Sequence, residues 1–141
     1  MPKRTDIKKI LVLSSGATAI GSACEFDYSG VQACRTLRER GYEVILVNPN
    51  SATVMTDPQM TSKTYAVPLN KSKVKEIIEL EKPDALLPNF GEQAALNLSI
   101  DLFNSGLLAE YNVEVIGVDL TAIEKGEISN KRYCCRIANC R

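Results

Sequence analysis

An apolar run, KILVLSS, leads into a stretch with two glycines, Gly16 and Gly21, and two carboxylates follow closely, Glu25 and Asp27. A strand that enters a glycine-bearing loop and then a helix commonly cradles phosphate, because backbone N–H groups and the helix dipole favour an anion there. Two chemistries of that kind can be tested on spacing. A dinucleotide site needs G-x-G-x-x-G after the first strand and an acid at the end of the second. Here the glycines stand as G-x4-G and the second strand ends in Asn48. A Walker A loop needs Gly-Lys-Ser/Thr, but Gly21 is followed by Ser22 and Ala23. Both nucleotide fingerprints fail on named residues. The carboxylates have a structural reading: Ser29 with Gln32 fits an S-x-x-Q capping box, with Tyr28 at the staple position and Asp27 near the positive end of the coming helix. Capping does not explain Cys24 to Phe26.

Composition removes other chemistries. The chain contains no histidine, which excludes Ser–His and Cys–His catalysis and histidine-ligated metals. Its five cysteines, Cys24, Cys34, Cys134, Cys135 and Cys140, are odd in number and follow no secretory signal, so a disulfide framework is not expected and a cytoplasmic location is. Adjacent cysteines followed by x4-C do not match a zinc spacing, so no metal site is expected. With 17 basic and 17 acidic residues there is no electrostatic case for nucleic acid or a membrane surface, and no apolar run is long enough to cross a bilayer.

The elements that would position these residues alternate. The length of 141 residues suits one domain, and 45% apolar residues suffice for a core. Strands are expected over 8–15, 42–48, 63–69, 84–89 and 113–119, with Pro68 marking the third as an edge or strand end. Helices are expected over 29–41, ended by Gly41, and over 70–83, with Val74, Ile77, Ile78 and Leu80 as apolar positions. A third covers 91–106 with Leu96, Ile100 and Phe103 on one face, and a fourth begins over 120–128. Residues 51–62 read as a polar connection. The alternation argues for an α/β fold, a mostly parallel sheet of about five strands with helices on both faces. The tail, 128–141, carries Lys131, Arg132, Arg136 and Arg141 with no acid after Glu127, and reads as a ragged end.

The segments ACEFDYSGVQACRTLRERGYEVILVNPNSATVMTD, KPDALLPNFGEQAALN and GVDLTAIEKGE, together with the MPKRTDIK start, closely resemble the N-terminal region of the carbamoyl-phosphate synthase large chain. The resemblance runs in order over residues 1–127. It implies a Rossmann-like pre-ATP-grasp domain over 1–127, the first part of the half that makes carboxyphosphate and then carbamate, with 128–141 as a truncated tail. It implies an ATP-dependent ligase of arginine or pyrimidine biosynthesis, in which ATP and Mg or Mn are bound by the complete enzyme and not by this piece. The implied partners are the rest of the large chain, with its ATP-grasp domain, and a glutamine amidotransferase small chain that supplies ammonia. Alone, the piece is expected to be inactive, being too short for an ATP-grasp clamp. The alternative is a stand-alone, non-catalytic module docking on a glutaminase or synthase chain. Copies could also associate through a face exposed by truncation.

The resemblance also carries the candidate site. The first loop, with Gly16, Ile20, Gly21, Ser22, Ala23, Cys24, Glu25, Asp27 and Ser29, would face an interior passage and the neighbouring domains. A second loop holds Asn48, Asn50, Thr53 and Asp57, and a third holds Asn89, Gly91, Glu92 and Gln93. Three departures stand out. The family's G-x-G-P-I-V-I-G-Q is SSGATAIGS here, with Ser14, Ala17, Thr18 and Ser22 replacing Gly, Pro, Ile and Gln. Its N-S-N-P-A-T is NPNSAT, and its G-G-Q-T-A-L-N is GEQAALN, with Glu92 replacing Gly.

Overall fold

The computed structural model describes residues 4–14, 23–51, 53–57 and 59–119. The loop residues Gly16, Ala17, Thr18, Ile20, Gly21 and Ser22, the helix expected over 120–128 and the tail with Cys134, Cys135 and Cys140 lie outside the described residues.

The apolar runs became strands: β1 (Lys9–Ser14), β2 (Glu43–Val47), the short β3 (Lys63–Tyr65), β4 (Ala85–Phe90) and the two-residue β5 (Glu114–Val115). Every residue from Ile10 to Ser14 and from Val44 to Val47 is buried, as strands covered on both faces require. The order is β3-β2-β1-β4-β5 and every pairing is parallel. Parallel strands need crossovers, and α1 (Ala23–Glu39), α2 (Lys71–Glu81) and α3 (Glu92–Asn104) supply them. A further short helix, α4 (Leu107–Glu110), precedes β5.

Alternation along the strands divides the core in two. Leu11, Leu13, Ile45, Val47 and Leu86 pack with Val74, Ile77 and Ile78 of α2 and Ala95, Leu98 and Leu102 of α3. Ile10, Val12, Val44, Leu46 and Ala85 pack on the other face with Val31, Cys34 and Leu37 of α1 and with Met55. Burial pushes the Cys34 thiol up to about 11. Gly41 ends the first helix as expected: at φ 78°, its N–H bonds the Arg38 carbonyl while the Tyr42 N–H reaches that of Leu37.

Four local expectations are corrected. Helix α1 begins at Ala23, so Ser29 lies inside it and the Ser29–Gln32 pair is not a capping box; Tyr28 is exposed rather than stapled. The segment expected as a polar connection contains a 3₁₀ helix, Val54–Thr56, whose Met55 is fully buried. Leu80 is 71% exposed on α2, and its turn is anchored instead by buried Glu81. On α3 the core face is Ala95, Leu98, Ser99 and Leu102, while Phe103 is exposed. Small residues at Ala95 and Ser99 let this helix sit close to the sheet, and the Ser99 hydroxyl is satisfied by the Ala95 carbonyl at 2.8 Å.

Candidate functional site: the carboxyl edge of the sheet

The chain steps from β1 outward to β2 and β3, then crosses back to β4 and on to β5. The direction therefore reverses between β1 and β4, where open parallel sheets place their ligand crevice, beyond the carboxyl ends of the strands. The three candidate loops follow β1, β2 and β4. Those strands are parallel, so the ends from which the loops continue lie at one edge.

The loop after β2 is built around Asn48, which is fully buried. Its N–H donates to the Tyr65 carbonyl at 3.1 Å, anchoring it to β3. Its Oδ1 accepts the Asn50 N–H at 2.9 Å and its Nδ2 donates to Thr53 Oγ1 at 3.1 Å. This Asx turn needs an amide, which offers a donor and an acceptor together. The Thr56 hydroxyl lies within hydrogen-bonding distance of the Ser51 and Thr53 carbonyls, at 3.0 and 2.6 Å. Asp57 Oδ1 accepts the Gln59 N–H at 2.8 Å, so this carboxylate shapes its own turn.

At the loop after β4, Asn89 Nδ2 donates to the Gly117 carbonyl at 3.1 Å and ties that loop to the exit of β5. Gly117 has φ 80°, a backbone conformation that favours glycine, and a Cβ there would push on Leu87 Cδ1 at 2.9 Å. Gly91 is the buried N-cap of α3, Glu92 opens that helix, and exposed Gln93 bonds Asn97 Oδ1 at 2.9 Å. Of the first-loop residues, Ala23, Cys24, Glu25, Asp27 and Ser29 lie on the opening turns of α1 rather than in a loop, and Ser29 is exposed. Ser14, standing where the family has glycine, ends β1 and is buried.

Sequence reasoning missed Met55 and Gly30. Gly30, a buried glycine within α1, faces Met55: a Cβ on it would lie 2.5 Å from Sδ and closer still to Cε. A glycine interrupting a helical pattern was the available signal.

The strongly displaced titrations lie away from this edge. The Glu81 side chain, 4% exposed beneath α2, accepts Lys63 Nζ at 2.7 Å and the Tyr65 hydroxyl at 2.6 Å, with Lys9 Nζ at 3.7 Å. Hydrogen bonds from Lys63 and Tyr65 hold the Glu81 carboxyl below the usual carboxylate range against the opposing effect of burial. The same bond, with burial, pushes the Tyr65 phenol up to about 12. At the amino ends of the strands Arg4 grips Glu114 and Asp6, lowering both carboxyls, and Asp84 accepts the Lys8 and Lys9 N–H groups. Among the described residues no three acids or cysteines converge to hold a metal. The described carboxyl edge carries the Asn48 and Asn89 amides, the Thr53 and Thr56 hydroxyls and the Asp57 carboxylate, each engaged in shaping these loops.

The match to known proteins follows the same frame. Residues 6–125 match the family model described as the carbamoyl phosphate synthase preATP-grasp domain. The chain belongs to that family. It is 59% identical over 127 residues to the N-terminal section of the carbamoyl phosphate synthase large chain of Aquifex aeolicus, covering 90% of this chain and 23% of that protein. It is 58% identical over 127 residues to the large chain of Nostoc sp., covering 90% and 12%. To the arginine-specific, chloroplastic large chain of Arabidopsis thaliana it is 58% identical over 125 residues, covering 89% and 10%. The chain thus spans less than a quarter of these relatives and corresponds to their N-terminal pre-ATP-grasp piece. Among solved structures, the biotin carboxylase domain of Hydrogenobacter thermophilus 2-oxoglutarate carboxylase, described with MgADP and bicarbonate, shares the fold with a TM-score of 0.56 and 20% identity over 86% of this chain and 25% of that one. The Rossmann-like α/β architecture agrees with the sequence reading. No described helix is long and apolar enough to cross a membrane.

Proposed function

We propose that this chain serves as the scaffold piece of a carbamoyl phosphate synthase, an ATP-dependent ligase joining bicarbonate and glutamine-derived ammonia. Its carboxyl edge is the wall that meets the neighbouring ATP-grasp domain and faces the passage for intermediates. The observation that carries this reading is that the carboxyl ends of β1, β2 and β4 lie along one edge, within a chain 59% identical to a large-chain N-terminal section. Exposed Tyr28 and Val54 stand beside those loops, at 68% and 64% exposure, which suits a face covered by another domain. The domain occupies residues 1–127. In this reading ATP and Mg or Mn are bound by the portion beyond it. The glutaminase small chain is the further partner, and the free, buried Cys34 suits a reducing cytoplasm. The isolated chain has no synthase activity.

The test joins residues 1–127 to the remaining portion of the Aquifex aeolicus large chain. The hybrid should form carbamoyl phosphate from bicarbonate, ATP and ammonia, while the 141-residue chain alone should release no bicarbonate-dependent ADP. A folded hybrid without synthesis, or ADP release by the chain alone, would overturn the assignment. Glu25→Ala with Asp27→Ala in the hybrid should uncouple glutamine hydrolysis from product formation. Unchanged coupling would remove the passage role.

A further inference from the structure

Helix α1 and the loop after β2 belong to separate crossovers, yet the two are joined. We infer that Met55 is a positioning residue: seated in the notch at Gly30, it locks the loop after β2 to helix α1, so that this loop and the opening turns of α1 present their groups as one rigid unit. Three observations converge. The loop is self-shaped by polar bonds within residues 48–57, but Met55 is the one fully buried apolar side chain among its described residues. The notch exists only because position 30 has no side chain, although glycine within a helix costs about 1 kcal/mol relative to alanine. A second tie runs parallel to the first: the Arg38 guanidinium donates to the Gln59 carbonyl, fastening the far end of the loop to the last turn of α1.

The consequence is mechanical coupling. A partner that shifts the helix bearing Glu25, Asp27 and Ser29 must also shift Thr53 and Asp57. The coupling is a property of this chain and does not depend on the large-chain assignment.

Native-state hydrogen exchange of the 141-residue chain tests it. Met55→Ala should speed exchange about tenfold or more at amides 53–57 and 28–33 together, while amides 85–90 of β4 hold their protection, because truncating a buried methionine removes local packing first. Met55→Leu should restore both segments. Gly30→Ala should reproduce the Met55→Ala pattern by forcing Met55 out, and Gly30→Ala combined with Met55→Ala should be less perturbed than the sum of the two. Faster exchange at 53–57 alone would show that the segments move independently. A uniform rise through β1, β4 and α3 would show that Met55 merely contributes to global stability. Either result overturns the inference. Should Met55→Ala fail to fold, Gly30→Ala and Met55→Leu carry the same comparison.

Discussion

The two edges of the sheet are built from different chemistry. At the amino ends, and beneath α2, long charged side chains reach across elements: Arg4 to Glu114, Lys9 to Glu43 and Glu81, Lys63 to Glu81. At the carboxyl ends short side chains shape the described loops, within one turn from Asn48 to Thr53 and at Thr56, and across elements from Asn89 to Gly117. Charged clasps tolerate solvent and small shifts of geometry. Amide and hydroxyl turns hold a backbone in one shape.

The largest effect should come from the carboxyl edge. Asn48→Leu removes both hydrogen bonds of a fully buried amide side chain and with them the shape of the turn, which should cost about 3 kcal/mol in a urea unfolding series. A loss well under 1 kcal/mol would mean that the loop is not held by this amide. Next comes Glu81→Gln, the buried centre of the ionic clasp, at about 2 kcal/mol at pH 7. Its pH dependence is distinctive. Because the folded carboxyl is lowered, the wild-type bonus is present above the ordinary carboxylate range and is lost as pH falls through the lowered value. Because Tyr65 is raised to about 12, its contribution is complete below its ordinary value of 10.0 and fades as pH climbs towards 12. The variant should lose both dependences, and parallel curves for variant and wild type would separate Glu81 from the clasp.

Smaller still is Lys82→Gly. Lys82 ends α2 at φ 48°, where glycine avoids a side-chain penalty, so stability should rise by about 1 kcal/mol. Least of all is Arg4→Ala: its ion pairs are half exposed, so the melting temperature should scarcely move, and what difference exists should vanish in high salt.

The sheet was legible because KILVL and EVILV are continuous apolar runs, a pattern that strands buried on both faces cannot avoid. Gly41 marked its helix end for an equally direct reason. The opening of α1 was not legible, since Ser29 and Gln32 imitate a cap inside a helix that starts six residues earlier. On α3, apolar residues occupy more than one face, so Leu96, Ile100 and Phe103 competed with the stripe that packs. Glu81 looked like any helix carboxylate, because its partners Lys63 and Tyr65 lie 18 and 16 residues away in the chain. The candidate loops could be named from motif resemblance, but the alignment of the strand ends that lead to them depends on strand order, which no local spacing carries. Met55 was hidden for the same reason: one apolar residue in a polar run has no period.

The central claim is that the carboxyl edge meets the rest of a large chain. Hydroxyl-radical footprinting of the 141-residue chain, with and without the remaining portion of the Aquifex aeolicus large chain, tests it most directly. Tyr28 and Val54 should lose reactivity on mixing, while Leu80, on the outer side of α2, keeps its own. Protection of Leu80 with Tyr28 and Val54 unchanged, or no protection at all, would contradict the account.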